Sequence, residues 1–475
     1  MNKDEDNFSN VLKHFITYFT GDVVSRLIAF LLIPVLTFLL TPNDFGILSV
    51  FTSLTLLLLT LLSLNTYTSI GRYYFEENID LSSFLSSVIA FSLVIMLLFF
   101  TVIVSFKKEI SAFIKIPSEL VYYVLPIVLL LSLRSIFSQY CRAKEESKTV
   151  SRMNVYYTMS YAIFAVLLLL YSQDGGYKSV IWANISVQTG VAIYIVYRFR
   201  GYLSIFKIRK IHVSYALAYG IPLIPYTLST ELLTSFDVLM INSYLGADEA
   251  GVYGFAYKIG SLLLVFIIAI NSAWTPKYMR YMNAKNYIKH DDFSIKVMNA
   301  TLLAAAVLIS YGDIIASAIS PVAYDKGVNL IPLIVLGYVF YMVFVIYNKH
   351  TTYIKKLIYQ SMVAIMGGVV NVVANIIFIP KFGIVAAAYT TLGSFILMAF
   401  LSWVVNLYII RIDSVSVRNM LTTLAPIVVL VVVKQQLINY RFSIMNSILI
   451  NTIMLLAIIV VVTKGRVNSL KGFMS

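Results

Sequence analysis

Six ionisable side chains stand inside long apolar runs of this sequence: Asp22, Arg26, Arg134, Glu231, Asp237 and Lys258. A charged group at the centre of an apolar helix costs about 2.5–3.5 kcal/mol to insert into a bilayer, so each needs a partner or a task. An arginine in that position offers a planar, permanently charged fork of N–H donors that matches the oxygens of a phosphate. A carboxylate can balance such a charge or take up a coupling proton. Asp22 and Arg26 are four residues apart and share one helical face, and two outcomes stay open for them. They pair only with each other, or Asp22 orients Arg26 while the guanidinium binds phosphate oxygens in a cavity. Arg26 lies near the middle of its run and cannot easily reach either interface. Arg134 is eight residues from Arg142, about 12 Å of helix, and Lys258 is similarly near an end, so either could snorkel.

The runs that carry these residues are long and many. A helix needs about 20 apolar residues to cross a hydrocarbon core about 30 Å thick. With 60% hydrophobic residues and a mean hydropathy of +0.85, the chain leaves no room for a sizeable soluble domain. Hydropathy predicts about fourteen spans: 11–40, 46–70, 83–106, 119–141, 153–172, 179–199, 214–245, 250–276, 295–320, 328–348, 358–379, 383–410, 419–438 and 443–463. Their length and uniform apolarity imply helices and not the alternating ten-residue strands of a barrel, so the expected fold is an all-α polytopic membrane protein.

Orientation follows from the cations. Of the 36 Lys and Arg, 25 fall on the connections that share a side with the N-terminus, eight fall on the opposite set and three lie within spans. The asymmetry predicts that both termini face the cytoplasm. Most of the +14 net charge is then a rim facing anionic headgroups, and nucleic acid is not expected as a partner. The start, MNKDEDNFSN, lacks the basic opening of a secretory signal, so the first span is expected to be retained. The single cysteine, Cys141, excludes an intramolecular disulfide and leaves no thiol cluster for a metal. Phosphate-loop and HExxH motifs are missing, and His14, His212, His290 and His350 fall near cytoplasmic span ends, where they read as interfacial residues. Catalysis is not expected, nor a resident cofactor; proton or sodium coupling stays open.

Residues 40–51, LTPNDFGILSVF, and 245–256, LGADEAGVYGFA, share Leu, an acidic residue, Gly and two apolar positions at an offset of 205. Glu231 stands at the same offset from Arg26. Six spans separate the two copies, which makes a parallel repeat about an axis along the membrane normal. The expected organisation is a six-helix bundle over 1–213, a second over 214–410, and two appended helices with the tail over 411–475. Duplicated bundles can rock about a midplane site, and Pro34, Pro126, Pro222, Pro225, Pro276 and Pro332 supply bends within or at the ends of spans.

The segment IPLIPYTLSTELLTSFDVLMINSYLGADEAGVYGFAYKIG (221–260), followed by NSAWTPKYMR (271–280), closely resembles the seventh and eighth helices of Wzx-type polysaccharide-repeat flippases of the multidrug/oligosaccharidyl-lipid/polysaccharide exporter superfamily. The first span with LTPNDFGILSV, IGRYYFEE (70–77), CRAKEESK (141–148) and NVVANIIFIPKFGIVAAAY (371–389) are similar to that family's other landmarks, in order. The resemblance covers nearly the whole chain and implies a MATE-like fold. It implies translocation of undecaprenyl-diphosphate-linked oligosaccharide across a bacterial cytoplasmic membrane, for surface polysaccharide such as O-antigen or capsule. Membrane lipids, and polymerase and chain-length proteins of the same pathway, are the implied partners. By position it assigns the family's intramembrane Arg to Arg26 and its Asp in the SFDVLMI stretch to Asp237; Arg72 matches a landmark at the cytoplasmic mouth, where a positive-inside anchor stays open beside substrate contact. Arg134, Lys258 and Glu231 join that expected set from their place within spans. Two rivals stay open: a cation-coupled drug exporter of the same superfamily, which an acidic, aromatic-lined cavity would favour, and a membrane glycan polymerase or ligase, which would carry a large external loop that this chain lacks.

Overall fold

A computed structural model of the chain describes residues 2–77, 79–172, 175–411, 417–437 and 444–471. Among them no strand occurs and fourteen long helices follow one another: α1 (Asn2–Leu39), α2 (Pro42–Leu62), α3 (Leu81–Ser105), α4 (Leu120–Ala143), α5 (Ser147–Tyr171), α6 (Gly176–Phe199), α7 (Ile224–Leu245), α8 (Ala247–Asn283), α9 (Tyr287–Ala318), α10 (Ile331–Tyr353), α11 (Leu357–Phe382), α12 (Ile384–Val404), α13 (Val417–Leu437) and α14 (Ile444–Lys471). Helices are what lipid demands, because each one satisfies its own backbone N–H and C=O groups. Twelve of the fourteen are long and apolar enough to cross a membrane; α7 falls outside that set, and α14 contributes the shorter apolar stretch Met445–Val460. The all-helical, polytopic expectation is borne out.

Span ends differ from expectation where proline and capping intervene. The run expected at 214–245 is two helices, Lys210–Gly220 and α7, parted by a 3-10 turn over Ile221–Leu223. Pro222 and Pro225 lack the N–H groups that would continue a single helix through this point. At the start of α2 the Thr41 hydroxyl accepts from the Asp44 amide at 3.1 Å and Pro42 occupies the first turn, which fixes the turn after α1.

Contacts divide the chain into two compact units, residues 1–251 and 252–475. α7 falls in the first unit because it packs along α2. Asn65 at the end of the α2 turn donates to the Thr227 hydroxyl at 3.0 Å, and Gly220 lies against the Leu64 and Asn65 carbonyls.

A close backbone contact in the first unit joins the two copies of the repeated segment. A Cβ on Gly46 would stand 1.8 Å from the Ala247 carbonyl oxygen, and one on Gly251 would stand 2.0 Å from the Pro42 carbonyl oxygen. Asn43 donates to Asp248 at 3.2 Å, a pair 205 positions apart, which is the repeat offset itself. The contact is reciprocal, as a two-fold relation requires. Small residues let helix backbones approach where lipid supplies no hydrophobic drive for association.

In the second unit the deeply buried α10 packs against α12 and α9. Asn375 donates to Asn371 at 3.2 Å and Asn371 to the Thr391 hydroxyl at 3.3 Å, joining α11 to α12. A second polar cluster ties α9, α13 and α14 together. Lys434, 4% exposed, donates to Asp313 Oδ2 at 2.8 Å, to Asn451 Oδ1 at 2.9 Å and to the Ser310 carbonyl at 3.1 Å. The structure makes Lys434 and Asp313 an ion pair, with the lysine buried and the carboxylate 30% exposed.

Two measurements test these contacts. Gly46→Val and Gly251→Val should abolish the monodisperse folded fraction in size-exclusion chromatography, because each side chain would meet main chain that cannot yield. Gly393→Ala, where an added Cβ meets nothing within 4 Å, should be neutral or stabilising by up to about 1 kcal/mol. Lys434→Met should lower stability by about 1–3 kcal/mol, since the partly buried Asp313 would lose its cation, and Lys434→Met with Asp313→Leu should recover most of the thermal shift.

Candidate functional site

α1 carries the pair read from spacing alone. Arg26 Nε donates to Asp22 Oδ2 at 3.0 Å, so the i,i+4 contact forms. The pair is not dry: its side chains are 41% and 34% exposed. The contact engages only Nε, and the two terminal nitrogens, four N–H donors, have no partner among the described residues. The carboxylate therefore fixes the guanidinium from behind and leaves its outer edge open. α1 holds this position by packing along α5, where Gly21 abuts Ser151, while Ser25 turns its hydroxyl back onto the Gly21 carbonyl at 2.8 Å.

Arg134 reaches sideways from α4 to the same helix. Its Nη2 donates to Asn154 Oδ1 at 3.0 Å and its guanidinium carbon lies 4.0 Å from the centre of the Tyr157 ring. The half-buried fork is thus engaged on α5, an arrangement that spacing could not disclose. Tyr157 in turn donates to Asn184 Oδ1 on α6 at 3.0 Å and stacks on Tyr161.

Arg72 stands in the short helix Ser69–Tyr73, exposed, with Nε on Glu76 Oε1 at 3.3 Å. The Tyr215 hydroxyl donates to the same Glu76 oxygen at 2.9 Å. The hydrogen bond to Glu76 pushes the Arg72 guanidinium up from its ordinary value. Tyr73 beside it stacks on Phe84 with ring centres 3.7 Å apart, which anchors this connection to α3.

Glu231 and Asp237 both lie on α7, the first half-buried and the second buried. Lys258 lies half-buried on α8 in the second unit. Of the seven residues singled out by sequence, Asp22 and Arg26 are brought together as a pair at 3.0 Å. Arg134 and Arg72 belong to separate clusters.

Two features escaped the sequence reading. One is a groove of about 560 Å³ between α5 and α6, with Arg152, Arg198, Tyr156, Tyr157 and Tyr194 among its lining residues. Arg152 and Arg198 were counted among basic connections, yet Arg152, Tyr156, Ser160 and Phe164 recur at four-residue spacing and mark one helical face. The other is a buried pair. His290 and His350 lie near helix ends and are fully buried, with ring centres 5.2 Å apart and the Tyr278 hydroxyl 2.7 Å from His350 Nδ1. Neighbouring helix ends close over them, which linear distance from a span end does not report.

Comparison with known proteins places this arrangement. The fold is similar to that of the lipid II flippase MurJ in an inward closed conformation, at a TM-score of 0.77 with 14% identity, covering 95% of this chain and 100% of that one. It is similar to an inward-facing multidrug resistance MATE transporter of the MOP superfamily, at a TM-score of 0.62 with 14% identity over 84% of this chain and 94% of that one. A MOP superfamily transporter from Pyrococcus furiosus matches at 0.60 with 15% identity, over 85% and 95%. At such identities these likenesses establish the fold, and the expected all-helical, MATE-like fold is borne out. In sequence, the chain is 25% identical over 292 residues to a protein of the Lsg locus of Haemophilus influenzae, spanning 58% of this chain and 68% of that protein. The family model described as polysaccharide biosynthesis protein matches residues 11–282, more than half of the chain and all of α2 to α7 with most of α1 and α8. This chain belongs to the polysaccharide biosynthesis protein family.

Proposed function

We propose that the chain is a flippase that carries undecaprenyl-diphosphate-linked oligosaccharide units across the bacterial cytoplasmic membrane by alternating access, for surface polysaccharide synthesis. One observation carries this reading: Arg26 is held at Nε by Asp22 while four N–H donors of the same guanidinium remain unoccupied among the described residues. A fork oriented from behind and open in front suits a phosphate oxygen pair, which accepts two parallel N–H bonds. A position at mid-span suits a headgroup in transit, because an accessible charge there needs water or an anion around it.

In this reading the diphosphate and glycan pass through an aqueous path by Arg26, while the polyprenyl chain stays in lipid. Arg134 and Lys258 add positive charge along the way, and Arg72 meets the headgroup at the cytoplasmic mouth. Glu231 and Asp237 balance the cations or exchange a coupling proton, with sodium as the alternative driving ion. Both termini face the cytoplasm, on the side of the 25 cations. Family membership and the flippase-like fold support transport and not catalysis. Polymerase and chain-length proteins of the same pathway would receive the product on the far side.

Reconstituted full-length protein in vesicles tests the role of Arg26. With a labelled undecaprenyl-diphosphate oligosaccharide, Arg26→Ala should lower the initial rate of translocation about 10- to 100-fold, the equivalent of one or two charge-assisted hydrogen bonds. Arg26→Lys should recover part of it, since a point charge replaces the fork. In cells the alanine variant should be inserted and abundant yet display no surface glycan. Unchanged translocation in Arg26→Ala would remove Arg26 from the mechanism. Efflux of an organic cation by wild-type protein that fails to move the labelled glycolipid would replace the flippase reading with the drug-exporter one.

A further inference from the structure

The groove between α5 and α6 has the dimensions and charge of a lipid site, and no role in the proposed transport has been assigned to it. Its volume of about 560 Å³ lies within the range of small-ligand pockets, about 300–1,000 Å³. Its charged residues stand together at one end. Arg152 is in the second turn of α5 and Arg198 is in the last turn of α6, so antiparallel neighbours bring both to the cation-rich side of the membrane. From Arg152 the lining continues through Tyr156 and Ser160 to Phe164, twelve residues or about 18 Å of helix. One leaflet of hydrocarbon is about 15 Å deep, half of the 30 Å core. The groove therefore runs from headgroup level to about the bilayer midplane and no further.

The surroundings are apolar. Met159 and Ile163 on α5, and Ile193 and Val196 on α6, are 49–67% exposed. In a membrane-spanning chain such a face meets lipid, whereas the wall of an aqueous path would carry polar groups there. The charge at the mouth is small. Arg198 donates to Glu146 Oε2 and to the Tyr194 hydroxyl, each at 3.2 Å, and so is oriented and half neutralised. Arg152 is exposed and makes no hydrogen bond or ion pair among the described residues. Two arginines against one carboxylate leave a single positive charge, which matches a phosphodiester and falls short of a diphosphate.

We infer that this groove binds one glycerophospholipid of net charge −1 from the leaflet on the cation-rich side, with its phosphate on Arg152 and Arg198 and an acyl chain laid along Tyr156 and Phe164. Basic pockets between membrane helices take anionic headgroups in this way. The inference goes beyond the proposed transport and does not depend on which cargo moves.

Gly190 provides the sharpest probe, because it lines the groove and a Cβ added there meets nothing within 4 Å. Native mass spectrometry of the full-length protein, titrated with phosphatidylglycerol or with phosphatidylcholine of the same chains, should show preferential retention of the anionic lipid. Arg152→Gln should reduce that preference about fivefold, as should Arg198→Gln. Gly190→Phe should fill the groove and remove the bound lipid while the protein stays monodisperse, which covers the case in which loss of the Glu146 contact unfolds Arg198→Gln. Retention of phosphatidylglycerol unchanged in Arg152→Gln and in Gly190→Phe would overturn the inference. Displacement of it from wild-type protein by equimolar inorganic phosphate, or by undecaprenyl diphosphate, would overturn it as well, by assigning the groove to a free anion or to the substrate. Vesicle translocation measured on the Gly190→Phe variant reads the transport reaction separately, so failure of one proposal leaves the other standing.

Discussion

Two helix ends press backbone against backbone where Gly46 meets Ala247 and Gly251 meets Pro42. Lipid tails are as apolar as leucine side chains, so membrane helices gain little from mere apolar contact and rely on close approach and polar links. Glycine permits that approach, and the Asn43 to Asp248 bond beside it fixes the register. The same two segments are the copies of the repeat, each contacting the other in equivalent ways. The capped start of α2 at Thr41, and the end of α7 at Gly246, are therefore set by one junction. The placement of α7 along α2, and with it Glu231 and Asp237, follows from that junction.

Charge within the spans is handled in three physically different ways. Lys434 is buried against the half-buried Asp313, with hydrogen bonds that offset the loss of water, and the cluster ties three helices. Arg134 gives up its fork to an amide and an aromatic face on the neighbouring helix. Asp22 and Arg26 pair without being enclosed, and the terminal donors of Arg26 have no partner among the described residues. The first two arrangements are structural links; the third keeps its terminal N–H groups available on a partly exposed pair.

The groove on the first unit shows how a topological signal can hold a local site. Arg152 and Arg198 contribute to the cation count that orients the chain, yet antiparallel α5 and α6 place them at one mouth above an aromatic-lined channel. Loss of either charge would alter headgroup chemistry at that mouth far more than it would alter an asymmetry of 25 against eight.

What the sequence determined by itself is the class of structure, its repeat and the candidate charge at mid-span. Fourteen apolar runs must be helices because lipid offers the backbone no other partner, and the i,i+4 spacing of Asp22 and Arg26 dictates their contact within one helix. These are local consequences, readable without knowing which helices are neighbours. Tertiary structure decided everything that depends on neighbours: that Pro222 and Pro225 break the seventh run, that Arg134 faces Tyr157 and not the interface, that His290 and His350 are enclosed, and that Lys434 crosses to Asp313. A helix presents side chains all round its axis, and composition alone does not say which face meets lipid, which meets protein and which meets water. That choice is made when the helices pack.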